Sequence, residues 1–136
     1  MKYYAVIDTN VLVSSMLKGT SIPGIIVDKA LNGPIIPLLN DEILEEYQEV
    51  LLRNKFGFDS SDVETLISEL KKRAIFLDRT ETEEAFNDPD DIVFYEIVMT
   101  ARTAVDAYLI TGNKKHYPIK SYVVTAREML DIIGED

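Results

Sequence analysis

Cysteine is absent from this 136-residue chain, and histidine occurs once. Without cysteine there are no disulfides and no thiolate metal sites. The lone histidine, His116, has no histidine or cysteine partner, which argues against a zinc centre. No apolar run approaches the roughly 18 residues of a membrane span. The apolar stretch after Lys2 is cut by Asp8, too early for the hydrophobic region of a signal peptide. These absences read as a cytoplasmic protein with no membrane segment. Cations are also scarce: 14 lysines and arginines stand against 24 acids, a net charge of −10. Domains that bind nucleic acid usually carry a basic patch. Phosphate contact here would need metal ions, local lysine and arginine clusters, or both. For most of the acids, the plain role is solubility.

The 46% hydrophobic content suits a globular chain, and the length reads as a single domain over residues 1–136. Tyr3 to Ile7 is aromatic and β-branched, a buried strand. Helical spacing of Val11, Leu12, Ser15 and Met16 follows, to about Lys18. Ser21 caps a second helix with Pro23 in its first turn, running to Asn32-Gly33. Ile35 to Leu39 is a strand. Asn40 or Asp41 caps a helix to about Asn54, and Ser60 or Ser61 opens another that ends in Lys71-Lys72-Arg73, suited to the negative end of its dipole. Ile75 to Leu77 is a third strand, and Asp78 to Glu84 an acidic loop or partly mobile segment. Asp88-Pro89 opens a helix to about Thr103. Ala107 to Thr111 and Tyr122 to Val124 are strands four and five, and a helix over about Ala126 to Ile133 closes the chain. Such alternation predicts a parallel sheet of about five strands covered on both faces.

Asp8 ends the first strand on a tight strand-to-helix turn, followed by Thr9 and Asn10. The carboxyl ends of parallel strands are where ligands and catalytic groups gather. On the helix from Ile43 to Leu52, a 100° wheel puts Ile43, Leu44, Tyr47, Val50 and Leu51 on the buried stripe. Glu46 is the glutamate nearest that stripe, while Glu42, Glu45 and Glu49 point further toward water. Asp88, Asp90 and Asp91 crowd the start of the next helix. One cap needs one acid, and Asp91 lies near the sheet-facing side through Phe94 and Tyr95. Thr111 and Asn113 present oxygens at the same sheet edge as Asp8, and Gly112 permits the sharp exit between them. Lys114 and Lys115 follow, either as a solvated turn or as phosphate contacts. Asp106 begins its strand, at the wrong end for chemistry. Hard oxygen ligands without sulfur or imidazole favour Mg²⁺ or Mn²⁺. Such a site suits metal-assisted phosphodiester hydrolysis.

Four segments, in order, resemble the PIN domain, and in particular PIN-family toxins of prokaryotic toxin–antitoxin pairs. They are Ile7-Asp8-Thr9-Asn10-Val11-Leu12, the helix Ile43 to Leu51, Asp88-Pro89-Asp90-Asp91, and Ala107 to Asn113. The resemblance implies a three-layer α/β/α sandwich and an Mg²⁺- or Mn²⁺-dependent ribonuclease. It implies that Asp8, Glu46 and Asp91 are the metal-binding acids, with Asn113 assisting. Thr9, Asn10, Thr111, Lys114 and Lys115 would position water or phosphate, and Arg53 or Lys55 would offset the acidity. It also implies an RNA substrate and a basic antitoxin partner, and the apolar Ile25-Ile26 pair packs either inside the domain or against a second copy. One departure stands out. The family commonly ends its fourth-strand motif in aspartate, where this chain has Asn113; an amide oxygen still ligates Mg²⁺, but a second ion should bind more weakly. Three other readings compete: a PIN module that binds without cleaving, a phosphatase with an aspartyl nucleophile, and a phospho-acceptor receiver domain using Asp78. The last two want a second acid beside the first strand, where Thr9 and Asn10 stand.

Overall fold

A computed structural model describes residues 1–134. Five strands and six α-helices alternate: β1 (Tyr3–Ile7), α1 (Thr9–Leu17), α2 (Ile22–Asn32), β2 (Ile35–Leu39), α3 (Asp41–Leu51), α4 (Ser60–Arg73), β3 (Ile75–Phe76), α5 (Pro89–Arg102), β4 (Ala107–Ile110), β5 (Val123–Val124) and α6 (Ala126–Ile133). All strand pairs are parallel, in the order β3-β2-β1-β4-β5. The central strand β1 buries Ala5, Val6 and Ile7 in succession rather than alternately. That is the signature of a sheet covered on both sides. Helix α5 packs on β4, β1 and β2, while α2 and α4 pack on β2 and on each other, with α1 and α6 against α2. The result is the expected α/β/α sandwich. Helix α3 touches α1, α4 and α5, so it bridges the two helical layers.

The helix starts are set by local chemistry. Ser21 accepts from the Gly24 amide, with proline in the first turn. Asn40, rather than Asp41, accepts from the Ile43 amide. Asp59, one residue ahead of the expected serines, caps α4 through the Ser61 amide. Thr125 and Glu128 form a reciprocal capping box on α6. Besides β5, which starts at Val123 rather than Tyr122, three boundaries differ from the sequence reading. Helix α3 stops at Leu51 because Arg53 turns extended, and Asn54–Phe56 forms a short 3₁₀ turn. Strand β3 is two residues long, although the Leu77 amide still donates to the Leu39 carbonyl at 3.0 Å. Strand β4 closes at Ile110, with the Thr111 amide continuing toward the Val124 carbonyl at 2.9 Å. Arg73 does more than suit its own helix dipole: its guanidinium reaches the carbonyls of Ala30 at 2.7 Å and Gly33 at 3.0 Å, satisfying the end of α2.

The segment between β3 and α5 contains no regular element, but it is fastened. Buried Glu96 of α5 accepts from Arg79 Nε and from the Thr82 amide, each at 2.7 Å. Thr80 and Thr100 pair through their hydroxyls at 2.7 Å, and Lys120 reaches Glu84 at 3.2 Å. The acidic stretch is therefore a strap laid over α5. Ile26 lies in the core, whereas Ile25 is exposed. Among the described residues no single helix is long and apolar enough to cross a membrane.

Candidate active site

Between β1 and β4 the strand order reverses direction, and open parallel sheets place their ligands at that switch point. Asp8 and Thr111 sit there, one residue beyond β1 and β4. Asp8 occupies the N-cap position of α1, yet its side chain makes no capping bond. Instead its carboxylate accepts the Thr111 hydroxyl at 2.7 Å, while its amide donates to the Ile110 carbonyl at 2.8 Å. Asp8 is only 7% exposed and Thr111 fully buried. The carboxylate is thus turned toward the end of β4 rather than into a capping bond on α1.

Glu46 arrives through α3. The neighbouring Tyr47 is buried in the core and donates its hydroxyl to the Ile7 carbonyl at the end of β1. That bond fixes the rotation of α3 and brings Glu46 over the strand end, where the Thr9 hydroxyl donates to its carboxylate. Glu42, Glu45 and Glu49 on the same helix are exposed, whereas Glu46 is half-buried. Asp91 comes from the first turn of α5, whose cap is Asp88. Its side chain is 15% exposed and faces His116 Nδ1 at 3.5 Å.

The three acids disturb one another. Burial pushes Asp8 up, against the hydrogen bond from Thr111. Burial also raises Glu46, and repulsion from Asp8, Asp90 and Asp91 adds to it, offset in part by Thr9. Asp91 is pushed up to about 6, by burial first and then by Asp8 and Asp88. The sequence reading missed Tyr117. Its phenol is buried beside Asp8 and Asp91 and held strongly in its neutral form, by burial and then by those two charges. The hydroxyl lies near Asp8 but outside regular hydrogen-bond geometry, with no partner among the described residues. The only signal for it was an aromatic residue following the short polar turn Lys114–His116.

The remaining candidates are placed as follows. Asn10 is exposed at the start of α1. Asn113 donates its amide to the Thr111 hydroxyl at 3.0 Å, and its side chain pairs with His116 Nε2 at 3.0 Å. Lys114 is ion-paired with Glu128 at 3.1 Å, and Lys115 is exposed. Arg53 is held by Glu49 at 2.8 Å and Lys55 lies over the Phe56 ring, so neither reaches the acids. Asp106 is exposed, 3.9 Å from Arg102. Asp78 lies two residues beyond the edge strand β3, with β2 between that strand and β1. A receiver needs its acceptor beside the first-strand acids, and the topology keeps Asp78 away from Asp8.

Carboxylates raised first by burial, with Glu46 and Asp91 raised further by the charges around them, are a set that a hard divalent cation would relieve. The donor chemistry therefore fits Mg²⁺ or Mn²⁺. Among the described residues, however, no three of His, Asp and Glu stand close enough to form a ready cage. A parallel α/β/α sandwich with acids gathered at its switch point defines the class of molecule. The family model described as PIN domain matches residues 4–115. With most of its length matched, the chain belongs to the PIN domain family, generally a nuclease fold that typically uses divalent metals. No curated protein matches the chain.

Proposed function

We propose that the protein is an Mg²⁺- or Mn²⁺-dependent endoribonuclease, acting as the toxin of a toxin–antitoxin pair. The observation that carries this reading is the grouping of Asp8, Glu46 and Asp91 at the switch point of a PIN domain, each raised first by burial. A divalent ion held by these three acids, with Asn113 assisting, would supply positive charge at the scissile phosphate and lower the pKa of water. The side chains do the rest. Thr111 fixes the Asp8 carboxylate through one of its oxygens. Thr9 orients the Glu46 carboxylate toward the same strand end. Asp91 joins them from the first turn of α5, its side chain 15% exposed and 3.5 Å from His116 Nδ1. The net charge of −10 complements a basic antitoxin segment.

A second reading is favoured by one observation. The acids do not close a cage, and the fourth motif carries neutral Asn113; a PIN module that binds RNA without cutting it would need neither. The two readings separate in one experiment. Purified protein is incubated with several RNAs in Mn²⁺, in EDTA, and as Asp8→Asn. The nuclease reading expects cleavage in Mn²⁺ only, reduced about 100-fold or more in Asp8→Asn. RNA binding with no metal-dependent cleavage on any substrate would leave the binding module.

A further inference from the structure

Two open cavities flank the acids, and their charges differ. One lies between α3 and the start of α5, about 430 Å³, and carries Glu42, Glu45, Glu46, Glu49 and Asp90. Its two arginines, Arg53 and Arg79, are already held by Glu49, Glu42 and Glu96. Phosphate entering this side would meet an excess of carboxylate. The other cavity, about 500 Å³, lies between α1, the start of α2 and the start of α6. It shares Thr111 and Asn113 with the candidate site and contains no acid. Val11, Ile22 and Pro23 form an apolar wall, and Asn10 and Arg127 supply polar groups.

Arg127 is set apart from the other four arginines of the chain. Arg53 and Arg79 are ion-paired, Arg73 caps carbonyls, and Arg102 bonds the Ala107 carbonyl and lies over the Tyr122 ring. Arg127 is exposed and has no acid, carbonyl or ring partner among the described residues. It also lies beyond residues 4–115, the segment matched to the family. A guanidinium without a counter-ion, facing an acid-free cavity beside the acids, is suited to a phosphate and to the flat face of a base. The volume is within the range that holds a small ligand.

We propose that this cavity is the subsite for the nucleotide flanking the scissile phosphate of single-stranded RNA, with Arg127 as its phosphate contact. The proposal rests on the ribonuclease reading for its substrate class. The strand leaves the acids over Asn113 and avoids the groove between α3 and α5. The base lies against Val11, Ile22 and Pro23, while Arg127 holds the phosphate beyond it.

The test is binding of a fluorescently labelled single-stranded RNA oligonucleotide to the full-length protein in EDTA, measured across a salt series. Cleavage kinetics in Mn²⁺ run in parallel. Arg127→Ala should weaken binding about five- to tenfold and reduce the slope of log affinity against log salt by about 0.7–1, the signature of one lost phosphate contact. KM should rise with kcat unchanged, and Arg127→Lys should recover part of the affinity. Arg127 is exposed, so an unchanged melting temperature confirms that folding is intact. The proposal is overturned if affinity and salt slope are unchanged in Arg127→Ala. It is equally overturned if the wild type does not bind, or if Arg53→Ala costs more than Arg127→Ala. Arg127-dependent binding without cleavage removes the nuclease reading and keeps the subsite; cleavage with Arg127-independent binding does the reverse.

Discussion

Asp8 is held at a cost to the fold. Its carboxylate is nearly buried and raised by that burial, with Glu46 and Asp91 close enough to feel it. Replacing it with the isosteric amide keeps an acceptor for Thr111 and removes the charge. Asp8→Asn should therefore stabilise the ion-free protein by about 1–2 kcal/mol while disabling it, the usual trade between stability and function. Thermal melts in EDTA check this, and an unchanged or lower midpoint would show that Asp8 is not under electrostatic stress. At this scale the sequence was readable where periodicity spoke. The switch from strand to helix exposed Asp8, and the helical wheel separated Glu46 from its exposed neighbours. Tyr117 and Arg127 were not readable: Tyr117 follows a short irregular turn, and Arg127, the second residue of α6, is exposed, where no apolar repeat assigns it a neighbour.

Among the elements, the strap between β3 and α5 shows how a loop without regular structure can still be fixed. Glu96 faces the core side of α5 and is satisfied only by Arg79 and the Thr82 amide. Glu96→Ala would strip Arg79 and that amide of their buried acceptor, at about 2–3 kcal/mol. Hydrogen exchange should accelerate across residues 78–87. Because the strap leads into Asp88 and Asp91, weaker metal-induced stabilisation should accompany it. Unaltered exchange would mean that Thr80, Thr100 and Lys120 suffice. The sequence suggested partial mobility because acids and threonines dominate the stretch. It could not reveal a buckle supplied by a glutamate more than ten residues downstream. Helix α3 was over-extended for a similar reason, since nothing in Leu52-Arg53-Asn54 forbids another turn.

For the whole molecule, pH and the proposed metal would act on the same acids. The ordinary value of Asp91 is 3.8, and the fold pushes it up to about 6. Between those values the folded chain keeps a proton that the unfolded chain has released, so stability falls as pH rises through that window. Asp8 and Glu46 shift in the same direction, and relief of the −10 net charge adds to it. Asp59, which is exposed, and Glu128, which is half-buried, are lowered from their ordinary values by hydrogen bonds and oppose the trend. In EDTA the melting temperature should be higher near pH 5 than near pH 7.5. Mn²⁺ should restore it at pH 7.5 and do little at pH 5, where protons already occupy the acids. A flat profile in EDTA would contradict the upward shifts of these acids. The parallel α/β/α architecture was legible because strands and helices alternate with few long loops. The pairing partners of β1 were not, since nothing local selects β2 on one side and β4 on the other.

The bond between Thr111 and Asp8 joins positions 103 apart in the chain. On a ribosome adding ~5–20 residues per second, Asp8 waits roughly 5–20 s for that partner. Until β4 has emerged to lie beside β1, half of the crevice wall does not exist. A nascent chain therefore carries its acids without a site to put them in. Translation itself delays the assembly of the crevice until nearly the whole domain is made.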